Sequence, residues 1–154
     1  MKDWPLIIIE ATKAYTSELK QNKAPNEEIS KAHYEVLAKH VKLEKERIGG
    51  QNWVLSQAVT SRKHRDLIKT ILGPKCIFVT LTLSPETRNQ RLQKRYAHLE
   101  QEKRLWTLEF LTNVEKNFEP AAFDEENAQN IMITPELDQL AVVQKILEVY
   151  KSFE

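Results

Sequence analysis

The side chains with the most chemical potential in this chain are cations. Arg62, Lys63, Arg65 and Lys69 follow one apolar stretch, and Arg88, Arg91, Lys94, Arg95 and His98 follow another. Arg91 and Arg95 stand one helical turn apart on one face, so both guanidinium groups can reach a single polyphosphate. Arg62 and Arg65 open a helix directly after an apolar strand pattern, where a hydroxyl or phosphate can sit at the carboxyl end of the strand. The plainer alternative for both groups is a solvated basic face, balanced around Arg91 by Glu86, Glu100 and Glu102. Other chemistry finds less support. Asp66, Glu10 and Glu35 are scattered, and no nucleophile–base–acid arrangement stands out. His33 and His40 lie seven residues apart, but no carboxylate or cysteine completes a ligand set at metal spacing. Cys76, the sole cysteine, sits in an apolar strand pattern and reads as an inert core thiol.

The elements that must position these cations alternate. Trp53–Val59 is expected as a first strand, and Ser61 can cap a helix over Arg62–Leu72 that Gly73-Pro74 ends. Ile77–Leu83 reads as a second strand, a helix starts near Glu86 behind Pro85, and Leu105–Val114 reads as a further amphipathic helix stopped by Glu119-Pro120. Phe123–Asn130 reads as an acidic loop and Ile131–Ile133 as a third short strand. A last helix runs from Leu137 to Phe153 with the stripe Leu140, Val143, Ile146, Leu147 and Tyr150. Upstream, Ile29–Ile48 is a long amphipathic helix. At the start, Asp3-Trp4-Pro5 suits a helix beginning, with Ile8, Ala11, Thr12, Tyr15 and Leu19 at helical spacing. Three consecutive isoleucines make Leu6–Ile9 a competing strand.

Strands alternating with helices imply an α/β fold with a mostly parallel sheet of about three strands, flanked by helices as a short three-layer sandwich. The length of 154 residues suits a single domain spanning residues 1–154. Net charge is +1, with 23 basic against 22 acidic residues, so any electrostatic argument must be local and bulk nucleic acid is not expected as a partner. No window is apolar enough for a membrane span and the first residues lack a secretory pattern, so a cytoplasmic location is expected. There are three glycines, Gly49, Gly50 and Gly73, all in turn contexts. None belongs to a glycine-rich phosphate loop.

Several short runs nevertheless resemble one family in its own order. Asp3-Trp4-Pro5, Arg65-Asp66-Leu67, the run Arg91-Leu92-x-x-Arg95-x-x-His98, and Phe118-Glu119-Pro120 followed by Asp124-Glu125 are similar to segments of the P-loop small-molecule kinases, the gluconate-kinase and adenylate-kinase-like group. In that family the residue at Ala97 is usually glycine and that at Leu99 usually phenylalanine.

The resemblance implies a carboxy-terminal portion of such a kinase, lacking the Walker A loop, with a lid-like segment over residues 86–117. By resemblance, Arg91, Arg95, Glu119 and Pro120 would contact nucleotide, and Arg62 and Arg65 would contact substrate. ATP and Mg2+ are the implied cofactors, and a small phosphate acceptor such as a nucleotide or sugar acid the implied partner. The family sheet resembles order 2-3-1-4-5, and loss of its middle strand would part Trp53–Val59 from Ile77–Leu83. Phosphoryl transfer needs backbone N–H groups at a helix start with a positioned lysine and metal. The chain alone is therefore expected to be inactive, with no catalytic residue assigned. A non-catalytic protein-interaction module is the competing reading, and neither reading fixes an oligomeric state.

Overall fold

Local chemistry explains where most elements begin and stop. The computed structural model describes residues 17, 21, 26–49, 53–99 and 108–153. The first helix, α1 (Glu27–Ile48), starts where Asn26 accepts a hydrogen bond from the Ile29 N–H at 2.9 Å. It carries Glu27 and Glu28 in its first turn and ends at Gly49, whose φ of 89° only glycine adopts readily. Lys39 pairs with Glu35 and Arg47 with Glu44 along its solvent side. Helix α2 (Arg62–Leu72) stops the same way at Gly73, with φ 95° and an N–H bond to the Lys69 carbonyl at 2.8 Å.

Strand β1 (Phe78–Leu83) passes through Ser84 into helix α3 (Pro85–Tyr96). Pro at the first helical position and the Ser84 hydroxyl, which accepts from the Thr87 N–H at 3.1 Å, define that start. Helix α4 (Leu108–Lys116), strand β2 (Ala128–Ile133) and helix α5 (Gln139–Ser152) follow. The Asp138 carboxylate caps α5, accepting from the Ala141 N–H at 2.8 Å. The described residues thus form a mixed α/β protein of five helices and one two-stranded parallel sheet. None of the helices is long and apolar enough to cross a membrane.

By packing, the chain divides into two compact units. The first joins the described residues up to Cys76 with Glu109–Glu119, and α1 packs on α2 within it. Its buried apolar residues are Tyr34, Ala38, Ile68 and Phe110. The spacing of Ser30, His33, Tyr34 and Ala38 puts them on the buried face of α1.

The second unit joins Ile77–Leu108 to Pro120–Glu154. Here β1 and β2 pair in register Phe78↔Ala128 through Leu83↔Ile133. The pairing places Val79, Leu81 and Leu83 on the same face as Ile131 and Ile133. Val142, Ile146 and Val149 of α5 complete the core on that face.

Three expectations change. The segment 53–59 forms no strand: residues 53–60 are irregular, and Val54 is 96% exposed. A strand is stable only beside another, and the described residues offer this segment no neighbouring strand. Its polar groups turn instead to α1, where the Tyr34 hydroxyl donates to the Ala58 carbonyl and Gln57 Nε2 lies 3.1 Å from His33 Nε2. The sheet therefore has two strands among the described residues rather than three. The acidic loop is also shorter than expected, because β2 already begins at Ala128. The buried stripe of α5 is Val142, Ile146 and Val149, leaving Leu140, Val143 and Leu147 about half or more exposed. The expected helix or strand over residues 5–19 lies almost entirely outside the described residues.

The small core of the second unit makes each member count. Ile133→Ala, at a site 5% exposed, is expected to destabilise that unit by about 2–5 kcal/mol, read from the urea midpoint. A cost under half a kilocalorie would mean that α5 does not pack there.

Candidate functional site

The expected substrate-side and nucleotide-side residues meet in the first unit around Glu119. Ser61 has the extended backbone of a helix cap, but its side chain does not cap α2. Its hydroxyl turns to His64 Nδ1 at 2.8 Å. The N–H of Arg62 is bonded instead by the Glu119 carboxylate, at 2.7 Å and from 57 positions along the chain. A carboxylate at a helix start also meets the positive end of the helix dipole. The backbone of Glu119 is engaged as well, its N–H donating to the Thr60 carbonyl at 2.8 Å and its carbonyl accepting from Arg65 Nη1 at 2.8 Å. Arg65 is 1% exposed. Its guanidinium is committed to holding the backbone at Glu119, and a ligand would reach it only by displacing that contact. Arg62 remains half-buried, with Asp66 at 3.9 Å.

Beside this clamp lies a buried histidine that spacing arguments passed over. His64 is 6% exposed, tilted against Tyr34 at 4.7 Å between ring centroids. Tyr34 in turn meets His33 edge-on at 5.2 Å. The Nε2 of His64 is buried without a hydrogen bond, although the Glu27 carboxylate lies 3.4 Å away. Ser61, His64 and Glu27 thus fall in line like a nucleophile, base and acid. The serine and imidazole are buried, however, and the carboxylate is the outermost member, half exposed and also held by Lys63 at 2.5 Å. The line binds α1 to α2 rather than facing a substrate. Burial pushes the His64 imidazole below its ordinary pKa against the pull of Glu27, and burial lowers that of His33 too. The hydrogen bond from Lys63 holds the Glu27 carboxyl below the usual range. Cys76, expected in a strand and in the core, instead precedes β1 and is half-buried, and burial pushes its thiol up.

The second unit places Arg91 differently. A hollow of about 370 Å3 is lined by the apolar Leu81, Ile133, Leu137, Val142 and Val143 and by Arg91, Asp138 and Gln139. Leu137, Asp138 and Gln139, which follow β2, and Arg91, in the helix that follows β1, all border it. The hollow therefore opens at the carboxyl ends of the two parallel strands, where open α/β sheets receive ligands. Arg95 lies one turn further along α3 and is exposed. Asp138 is engaged at the α5 start, and its charge counts against an anion seated directly over that helix end. Pro120 belongs to the second unit and is exposed. The structure thus brings Arg62, Arg65 and Glu119 together and sets Arg91 at a hollow with Arg95 beyond it. His98 and Leu99 lie in the turn that follows α3.

No protein-family model matches the chain, and neither a curated protein nor a solved structure is similar enough to be matched. Function must be argued from the residues themselves.

Two outcomes test this geometry. Glu119→Ala removes the carboxylate cap of α2 and is expected to cost about 1–2 kcal/mol, with Glu119→Gln recovering part by keeping an acceptor oxygen. Equal loss in both variants would place the stabilisation in charge alone. The histidines give the first unit an acid-sensitive profile. Because their folded pKa values lie below the unfolded one, the unfolded chain binds more protons. Stability is complete above the ordinary histidine range near 6.5 and falls as pH drops through it. Melting temperatures between pH 7.5 and 5 should decline, and His64→Gln should flatten the decline. A rise in stability on acidification would contradict the burial of the neutral imidazole.

Proposed function

We propose that this chain is a phosphate-handling, kinase-derived polypeptide that resembles part of an ATP-dependent small-molecule phosphotransferase and transfers no phosphoryl group by itself. The observation that carries the reading is a hollow bordered by Arg91 at the carboxyl ends of a parallel strand pair. In the family it resembles, the last two strands are neighbours, and the β1–β2 pairing agrees with that order. The arginines of the lid-like run sit on the helix that leaves the first of them. There Arg91 and Arg95 would neutralise phosphate oxygens on a nucleotide.

What is missing is equally physical. The sequence has no glycine-rich loop to aim backbone N–H groups at phosphates. Among the described residues no cluster of three or more His, Cys, Asp or Glu is placed to hold a metal ion. On the substrate side, Arg65 is buried and engaged by Glu119. Charge neutralisation without a cradle or a positioned acceptor gives binding without transfer.

A second reading, a non-catalytic interaction module, is favoured by a specific observation. Leu140, Val143 and Leu147 are 65%, 49% and 51% exposed along one side of α5. Partner helices dock on stripes of this spacing.

A thermal-shift titration with ATP and Mg2+ separates the two readings, because a ligand bound to the native state raises the melting point. Phosphate handling predicts a saturable rise that Arg91→Gln combined with Arg95→Gln removes. A flat response at millimolar nucleotide would leave the interaction module. Any ATP-dependent phosphorylation of a nucleoside monophosphate or sugar acid by the purified chain would overturn the claim of inactivity.

A further inference from the structure

Helix α3 carries more positive charge than its own stability calls for. Arg88, Arg91, Lys94 and Arg95 stand against a single acid, Glu86, which lies in the first turn. Arg91, Lys94 and Arg95 are spaced i, i+3 and i+4, so they share one face, and all three are exposed. Exposed His98 follows in the turn beyond the helix. Cations in a last turn complement the helix dipole, which accounts for Lys94 and Arg95 but not for Arg91. Among the described residues no acid pairs with any of the three. Like charges one turn apart repel, so the stripe weakens the helix that carries it.

At its Arg91 end the stripe meets the hollow at the strand ends. That hollow, about 370 Å3, is within the range of small-ligand sites, and most of its lining is apolar. Leu81 and Val143 in the lining are 47% and 49% exposed, which leaves room for a flat apolar body to enter. Asp138, also in the lining, disfavours a phosphate inside the hollow and leaves the outer face of α3 as the place for negative charge.

We propose that this face binds a single strand of nucleic acid, with one base in the hollow and the adjoining phosphates along Arg91, Lys94 and Arg95. The proposal rests on the reading of the hollow as a nucleotide site and extends it from a free nucleotide to one within a strand. Three features choose this partner. An exposed ion pair alone is worth little, whereas a strand brings a phosphate with every nucleotide and meets several cations together. A single strand also has free base faces to offer an apolar lining, which a duplex keeps stacked inside. An anionic membrane would call for large apolar side chains beside the cations, but their exposed neighbours in α3 are Gln90 and Gln93. Amides of this kind bond phosphate and sugar oxygens. The net charge of +1 argues against binding over the whole surface, so the attraction is local and weak.

Fluorescence anisotropy of the full chain with a labelled oligodeoxyadenylate of about six nucleotides tests this. Binding should saturate, and should weaken roughly tenfold as salt rises from about 50 to about 200 mM. Arg91→Gln/Lys94→Gln/Arg95→Gln, at exposed positions, should weaken it by roughly tenfold or more with an unchanged melting temperature. Val143→Asp, which puts a charge in the hollow, should weaken the oligonucleotide and leave the poorer binding of an abasic strand as it was. No saturation at millimolar chain, or an affinity that the triple variant retains, overturns the proposal. So does an abasic strand or inorganic polyphosphate that binds as tightly as the oligonucleotide, which would make the stripe a general polyanion surface. Capture by phosphatidylserine vesicles without oligonucleotide binding overturns it in favour of a membrane surface. The two readings of the hollow fail separately. An ATP-induced thermal shift without strand binding removes this proposal and leaves the nucleotide site, whereas strand binding without an ATP-induced shift supports the strand and removes the free nucleotide.

Discussion

The first unit depends on how one residue satisfies three backbone demands at once. The first N–H groups of a helix have no partners inside it, and α2 lacks a side-chain cap from its own Ser61. Glu119 supplies the Arg62 N–H with a carboxylate, closes the chain at Thr60 with its own N–H, and gives Arg65 a carbonyl. The last of these matters most. A guanidinium 1% exposed is tolerable only when its donors are matched, since an unmatched buried charge costs several kcal/mol. Freed from capping, Ser61 engages His64, and His64 sits against Tyr34, whose hydroxyl holds Ala58. The start of α2, the irregular segment before it and the inner face of α1 are thus parts of one arrangement.

The second unit obeys a different constraint. Parallel strands are normally covered on both faces, and among the described residues this pair shares its core with one helix. The opposite face, by the pairing register, carries Phe78, Thr80, Thr82, Ala128, Asn130 and Met132. It offsets its mixed polarity locally, with the Thr82 hydroxyl donating to the Ile131 carbonyl and Asn130 holding Ala121. Coverage by α5 runs through Val142, Ile146 and Val149 and leaves Leu81 nearly half exposed on the same face. The hollow is the gap left by that partial coverage, which explains why most of its lining is apolar.

These particulars decide what could be read from the sequence. Helix limits were legible where they depend on neighbours in the chain: the turns at Gly49 and Gly73-Pro74 and the Pro85 start of α3, whereas α4 ends at Lys116, ahead of the expected stop at Glu119-Pro120. The stretch 53–59 was misread because an apolar run looks the same whether or not a partner strand exists. In α5 the expected stripe Leu140, Val143, Ile146, Leu147 and Tyr150 and the observed one, Val142, Ile146 and Val149, share Ile146 and are both apolar at helical spacing, so periodicity alone could not choose between them. For the site, the sequence grouped Arg62 with Arg65 and Arg91 with Arg95. It could not show that Glu119, 57 positions away, would occupy the first pair. The signal that could have found His64 was its place three residues after a Ser in a cap position, a spacing that lets the two side chains meet.

The proposed use of the hollow for nucleotide asks a specific chemistry of it. Arg91 is exposed, so an anion pairing with it gains only what a surface ion pair gives. An apolar lining gives a bare phosphate nothing in return, and Asp138 opposes one placed over α5. The best-matched occupant therefore joins a flat apolar body to an adjoining negative charge, with the body on Leu81, Ile133 and Val142 and the charge towards Arg91. A nucleotide has that composition.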